Sequence, residues 1–152
     1  MDTVPFAVPG TSLSSALNFS IPPCLNSGPQ TAPAAAPVRR FAQIIKLKPA
    51  FVAKYKEVHA AAWPEVLEQI RDCNIRDYSI YHDPSTSLLF ASFKYVGTDF
   101  DADMARMRQN PKVREWWKMT DEMQESLVPG ATSSESGEPG WWKDVEEVFY
   151  AA

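Results

Sequence analysis

Tyr55, His59 and Trp63 are the residues of this sequence whose types and spacing best suit chemistry. They lie four residues apart, so in a helix they form one stripe with an imidazole between a phenol and an indole. This stripe combines a proton carrier with flat apolar walls, which suits a sugar-sized ligand. Aromatic residues at helical spacing more often mark a core face, so a purely structural role for His59 stays open.

The stripe needs a helix to carry it, and apolar residues recur at three and four residues from Ala50 to Cys73. Pro49 suits the first turn of this helix. Pro64 lacks a backbone donor and clashes with the preceding turn, so we expect the helix to kink or restart just after Trp63. His59 and Trp63 are therefore expected beside a break, where irregular backbone often serves a site.

Strand patterns surround this helix. The segment Phe41–Leu47 precedes it, and Asp77–His82 and Ser87–Val96 follow it as a hairpin joined by turn residues 83–86. A last strand is expected at Asp144–Tyr150. Alternation along the second strand places Tyr78 on the same face as Ile80 and His82; cross-strand packing of this tyrosine is as good a reading as a functional one.

Further helices are expected between the hairpin and the last strand. Thr98 suits the N-cap of a helix through Asp101–Arg108, and Asn110-Pro111 suits the start of a second helix, Lys112–Glu125. Trp116 and Trp117 lie on that second helix. Adjacent indoles cannot share one helix face, so we expect one in the core and the other beside a cavity or an interface.

The order of elements predicts an α+β fold of the ferredoxin-like βαββαβ type, in which helices cover one face of an antiparallel sheet. The other face would then expose apolar side chains. Packing against the same face of a second copy would cover both faces at once, so we expect a homodimer.

Composition limits the alternatives. The chain has 152 residues, of which 45% are hydrophobic and 22% charged, an ordinary balance for one globular domain. The net charge of -4 argues against a nucleic-acid surface. Residues 1–38 hold seven of the thirteen prolines and one charged residue, so we expect a disordered tail followed by a domain at 39–152. The tail lacks the continuous apolar run of a membrane span and the basic residues of a signal or presequence.

Cysteine and histidine are too few for a metal or disulfide framework. Cys24 and Cys73 form no CxxC pair, and His59 and His82 show no metal-ligand spacing. We therefore expect an intracellular, cytoplasmic protein without a metal site. Its expected partner is a small polar molecule, with neither nucleic acid nor membrane.

From Arg40 to Tyr150 the sequence resembles the L-rhamnose mutarotase family. The resemblance rests on blocks that occur in the family's order. They are Y-x3-H-x3-WPE at 55–65, NIRDYSIYHDPSTSLLFA at 74–91, WWKMTDEM at 116–123 and EEVFY at 146–150.

This resemblance implies a dimeric α/β barrel with a sugar pocket in each protomer. The implied activity is that of an aldose 1-epimerase type isomerase, the cofactor-free interconversion of the α and β anomers of L-rhamnose. The family's proton donor corresponds to His59, and its sugar-binding positions correspond to Tyr55, Tyr78, Trp116 and Trp117. The group that completes proton transfer is not identified; Asp83 is one possibility.

Two features depart from the family pattern: the amino-terminal tail, and a longer loop from Ser126 to Trp142 that adds Trp141 and Trp142. The loop either folds over the pocket or lies on the surface, with its indoles packed on the domain. The physiological sugar therefore stays open among 6-deoxy sugars. A cofactor-free monooxygenase of the dimeric α/β barrel type and a non-catalytic sugar-binding module are the remaining alternatives.

Overall fold

Residues 37–152 are described by the structure, which is a computed structural model of the protein. Residues 1–36 lie outside the described part, so the expectations for a disordered tail and for Cys24 concern residues on which the structure gives no information. The domain expected from residue 39 onward is described in full.

An antiparallel sheet forms one layer of the fold. Its long strands are β1 (Arg39–Leu47), β2 (Ile75–Asp83) and β3 (Leu88–Tyr95), and two short strands, β4 (Gln124–Glu125) and β5 (Lys143–Asp144), both pair with β1. The strand order is β2-β3-β1-β4, with β5 beside β4 on the same edge of β1. This order, with helices on one face, is the expected ferredoxin-like α+β arrangement.

The first helical segment breaks where the sequence predicts. A 3-10 turn at Pro49–Phe51 leads into α1 (Val52–Ala60), and α2 (Pro64–Asp72) begins at the proline. Trp63 is extended between the two helices, with φ -63° and ψ 133°, because proline disfavours a helical conformation in the residue before it. His59 consequently lies in the last turn of α1, beside the break.

The later helices are α3 (Phe100–Gln109) and α4 (Pro111–Met123). Asp99 caps α3 by accepting a 3.0 Å hydrogen bond from the backbone N–H of Ala102, so the expectation of Thr98 as the cap was wrong. A carboxylate is the better choice because it is an acceptor and also complements the positive end of the helix. Asn110 caps α4 as predicted.

The carboxyl end of α4 and the last strand differ from the prediction. The helix stops at Met123 rather than Glu125, since Gln124 and Glu125 are extended and pair with β1. Of the predicted strand Asp144–Tyr150, only Asp144 lies in a strand, β5. The chain leaves β1 after the Val145 N–H bonds to the Ala42 carbonyl at 3.0 Å, and from there residues 146–150 are exposed.

Arg40 contacts the residues that follow β5. Its guanidinium binds both carboxylate oxygens of Glu147 at 2.6 Å and lies 3.2 Å from the centroid of the Tyr150 ring. In the register of β5, Glu147 lies opposite Arg40, so these side-chain contacts keep the last residues beside β1 although backbone pairing has ended.

Two clusters of buried side chains lie between the sheet and the helices. The first consists of Ile45, Leu47, Tyr55, Leu89 and Met123. The second consists of Cys73, Ile75, Met107 and Val113, and the Cys73 thiol is free. No helix within residues 37–152 is long and apolar enough to cross a membrane.

A bulge in β2 directs Tyr78 toward the helices. The pairing with β3 shifts between Arg76 and Ser79, and Asp77 takes a positive φ of 52°. Tyr78 consequently makes an edge contact with the Phe93 ring, 5.5 Å between centroids. Ile80 and His82 pair with Ala91 and Leu89 of the core. Tyr78, Ile80 and His82 therefore lie on the same face of the sheet, as predicted.

Candidate active site

His59 has one nitrogen committed to the backbone. Its Nδ1 lies 2.9 Å from the carbonyl oxygen of Tyr55, one turn earlier on α1. A carbonyl only accepts, so Nδ1 carries the proton and donates it, and the lone pair of the neutral ring resides on Nε2. Burial lowers the pKa of His59 and this hydrogen bond opposes the effect only in part, so the imidazole is neutral at pH 7.

Aromatic rings surround the imidazole. The centroid of the Tyr55 ring lies 4.0 Å away, and that of Trp116 lies 5.2 Å away at an interplanar angle of 72°. Trp116 also makes an edge contact with Trp63, 5.4 Å between centroids. Tyr55 and His59 thus lie together as predicted, but the helix ends before Trp63, and the indole beside the imidazole is that of Trp116 rather than Trp63.

Both tyrosines assigned to the sugar site have raised pKa values. Burial raises the pKa of Tyr55, and the neighbouring phenol of Tyr78 raises it further. Burial also raises the pKa of Tyr78 to about 12. Both phenols remain protonated donors at neutral pH.

The two indoles of α4 have different environments. Trp116 is 7% exposed and lies against His59, whereas Trp117 is half-buried and packs against the cluster around Cys73 and Val113. Phe93, which contacts Tyr78, packs against that same cluster. One indole is thus in the core beside the imidazole, and the other lies on the adjoining side of the helix, as adjacent positions require.

Gln124 is a residue of this region that the sequence did not single out. It is 3% exposed, and its Nε2 lies 3.4 Å from the hydroxyl oxygen of Tyr55. Its Oε1 accepts a 3.1 Å hydrogen bond from the indole N–H of Trp141. A glutamine directly after a helix carries no sequence signal for such a position, because the contact depends on where a distant loop returns.

The indoles of the loop 126–142 pack on the domain, as predicted by the alternative in which the loop lies on the surface. Trp141 and Trp142 are half-buried against the cluster that contains Tyr55. The Asp121 carboxylate accepts hydrogen bonds from the backbone N–H of Ser134 at 2.8 Å and from its hydroxyl at 2.6 Å, which ties the middle of the loop to α4.

Asp83 has a structural role in the hairpin. Its carboxylate accepts hydrogen bonds from Ser85 and Thr86, and these bonds lower the pKa of Asp83 to about 2. A carboxylate so stabilised is a weak base at neutral pH. These contacts favour the turn, rather than proton transfer, as its function.

No group of three or more His, Cys, Asp or Glu residues in the described part of the chain is placed to hold a metal ion. A cavity of about 570 Å³ opens on the outer face of the sheet beside the carboxyl-terminal residues. His59 and its aromatic neighbours do not line this cavity. The candidate site is therefore defined by the rings of Tyr55, His59, Trp63 and Trp116, called the ring cluster below.

Comparison with known proteins identifies the family. The L-rhamnose mutarotase family model matches residues 40–151. An L-rhamnose mutarotase of Phocaeicola vulgatus is 41% identical over 80 residues, covering 53% of this chain and 74% of the relative. One of Listeria monocytogenes is 31% identical over 115 residues, covering 76% of this chain and all of the relative.

A solved structure agrees with this result. The crystal structure of an L-rhamnose mutarotase from Formosa agariphila matches with a TM-score of 0.56 and 30% identity, covering 75% of this chain and 99% of that one. The family match spans every element from β1 to the carboxyl-terminal segment. The chain belongs to the L-rhamnose mutarotase family.

Proposed function

We propose that this protein interconverts the α and β anomers of L-rhamnose, or of a related 6-deoxy sugar, with His59 as the proton-transfer group. Family membership makes the protein a sugar isomerase. The observation that carries the assignment to His59 is its fixed tautomer: the Nδ1–H bond to the Tyr55 carbonyl leaves the basic Nε2 for a substrate.

The reaction requires the anomeric hydroxyl to lose a proton and the ring oxygen to gain one. Nε2 of neutral His59 takes the proton from the anomeric hydroxyl. A carbonyl forms at the anomeric carbon while its bond to the ring oxygen breaks, and the ring oxygen keeps the electron pair. The imidazolium then donates its proton to that oxygen.

Ring closure after rotation of the aldehyde reverses these steps and yields either anomer. Both reacting oxygens are bonded to the same carbon, so one imidazole nitrogen can serve both. His59 starts as a base and acts as the donor in the next step, and the net reaction leaves it unchanged.

The tyrosines and tryptophans bind the sugar in this proposal. Tyr55 and Tyr78 donate hydrogen bonds to sugar oxygens, since their raised pKa values keep both phenols protonated. Trp116 offers its ring to the sugar's C–H groups beside the imidazole. Trp117 is the fourth proposed contact, supported by its place in the same cluster as Phe93, the neighbour of Tyr78.

A sugar panel tests this function and its rival. We expect the protein to accelerate α–β exchange of L-rhamnose in NMR saturation-transfer spectra more than that of L-fucose or D-glucose. No acceleration for any sugar, together with oxygen uptake on a phenolic substrate, would favour the monooxygenase alternative. Sugar binding without acceleration would favour the binding module.

We also propose a homodimer formed through the outer face of the sheet. The support is apolar exposure on that face, where Tyr81 is 59% and Phe90 is 40% exposed with ring centroids 6.3 Å apart. Val148 and Phe149 of the carboxyl-terminal segment, 92% and 84% exposed, add to the apolar surface beside it.

We propose a cytoplasmic location as well, supported by the free thiol of Cys73 in a family that acts on a metabolic monosaccharide. Fractionation of the producing cells, with the protein followed by antibody, tests it. Recovery in the soluble cytoplasmic fraction is expected, and recovery with exported proteins would contradict it.

A further inference from the structure

The buried amide of Gln124 links the loop 126–142 to the candidate site. Its side chain is enclosed at 3% exposure, where an unpaired amide would carry a desolvation penalty. Both ends of the amide have partners: Trp141 at Oε1 and Tyr55 at Nε2. These partners lie on elements far apart in sequence, α1 and the end of the loop.

The chemistry of the indole fixes the direction of this chain of hydrogen bonds. Trp141 Nε1 can only donate, so the group 3.1 Å from it must be the amide oxygen of Gln124. The amide NH₂ must then face Tyr55. A phenol oxygen that accepts from an amide directs its own proton elsewhere. Tyr55 is therefore set as a donor toward its remaining neighbours, which include Tyr78, and its ring lies 4.0 Å from the imidazole of His59.

The link between Gln124 and Tyr55 is the more adjustable of the two. Its 3.4 Å length is greater than that of an ordinary N–H···O hydrogen bond, whereas the Trp141 bond has normal length. A second contact holds the backbone of Trp141: the Ser126 hydroxyl donates to its carbonyl oxygen at 2.6 Å. The loop therefore fixes the orientation of the Gln124 amide through Trp141. The amide in turn favours one orientation of the Tyr55 hydroxyl.

We propose that Gln124 is a positioning residue of the sugar site, held by Trp141, and that this relay sets the hydroxyl of Tyr55 as a donor to the bound sugar. The claim about sugar rests on the proposed function, while the claim about the Tyr55 hydroxyl stands on the geometry alone. The loop is thereby a determinant of sugar affinity, although its residues lie outside the ring cluster.

Trp141→Phe and Trp142→Phe form a matched pair. Each replaces a half-buried indole that packs on the same cluster, but only Trp141 donates to Gln124. We expect W141F to raise the dissociation constant for L-rhamnose about fivefold, the effect of one ordinary hydrogen bond, with the same rise in KM and a much smaller change in kcat. W142F should change affinity far less. Gln124→Met, which removes the amide at similar size, should behave as W141F does.

The ¹³Cζ signal of Tyr55 at neutral pH provides a readout that needs no sugar. It reports the hydrogen bonding of the phenol and is assigned with Tyr55→Phe. We expect W141F and Q124M to move this signal in the same direction, and W142F to leave it in place. Equal effects of W141F and W142F on affinity, or an unmoved Tyr55 signal in Q124M, would overturn the relay.

Failure of the proposed function would give a different pattern. Wild-type protein that binds L-rhamnose without accelerating exchange would overturn the proposed activity, and the dissociation constants would still decide the relay. Wild-type protein that binds no sugar would overturn the role of Gln124 in a sugar site, whatever the Tyr55 signal shows.

Discussion

The chemistry of His59 depends on one hydrogen bond and on burial. The bond from Nδ1 to the Tyr55 carbonyl chooses the tautomer, and burial lowers the pKa below its ordinary value. Tyr55 thus serves the imidazole through its backbone and, in our proposal, the sugar through its side chain. A residue one helical turn earlier is the natural source of both contacts.

The pH dependence of the rate tests the protonation state of His59. Since the reaction begins with neutral imidazole, kcat/KM should rise with pH through the pKa of His59, which burial places below the ordinary value of about 6.5. It should then stay level to about pH 10, because both tyrosines remain protonated there. Saturation transfer at a series of pH values, corrected for the buffer rate, measures the profile. A rate that falls between pH 5.5 and 7 would show instead that the imidazolium is the starting form.

At the scale of elements, the cap of α4 joins two helices. The Asn110 side-chain oxygen accepts from the backbone N–H of Lys112 at 2.9 Å, and its NH₂ donates to Gln69 of α2 at 2.7 Å. Asn110 therefore fixes both the start of the helix that carries Trp116 and its position against α2.

Asn110→Ala should lower the free energy of unfolding by about 1–2 kcal/mol, since it removes a cap and a link between helices. Urea unfolding measures this loss of stability. An unchanged dependence of the unfolding free energy on urea concentration confirms that only stability has changed. Asp99→Ala is the matched control, because Asp99 caps α3 through one hydrogen bond. A loss in N110A no larger than in D99A would contradict the linking role of Asn110.

Local sequence signals account for the elements that were predicted correctly. Pro64 determines the helix break because its ring restricts Trp63, and the turn residues that follow Asp83 close the hairpin through their own hydrogen bonds. The contact of Tyr55 with His59 follows from helical spacing, but Trp63 lies beyond the end of α1, and the indole beside the imidazole comes from Trp116 on another helix.

Contacts between distant residues account for what was missed. The alternating pattern of residues 144–150 suits a strand, but after the Val145 N–H bond to Ala42 only side-chain contacts of Arg40 with Glu147 and Tyr150 hold this segment beside β1. Gln124 becomes part of the site only because residues 126–142 return Trp141 to it. Neither outcome depends on local propensity, so neither can be deduced from residue type and spacing.

At the scale of the whole molecule, the two faces of the sheet have different roles. The inner face packs on the helices and carries Tyr78, while the outer face exposes Tyr81 and Phe90. An apolar outer face is stable in water when a second copy covers it, and this is the physical basis of the proposed homodimer.

Phe90→Glu should convert the dimer to a monomer, because two charges would be buried in the interface without partners. Sedimentation velocity of the full chain measures the change. Phe51→Glu is the control: Phe51 is 37% exposed but lies in the 3-10 turn before α1, outside the sheet. A wild-type protein that sediments as a monomer, or a dimer that survives F90E, would contradict pairing through this face.

The most direct test of the central claim compares the two histidines of the chain. Saturation transfer between the anomeric protons of L-rhamnose is measured with wild-type protein, His59→Ala and His82→Ala, and the fold of each is checked by circular dichroism. The account predicts that H59A loses at least about a hundredfold in catalysed exchange, the usual contribution of a general acid–base group, while H82A keeps it. Folded H59A that exchanges the anomers as fast as wild type would contradict the account.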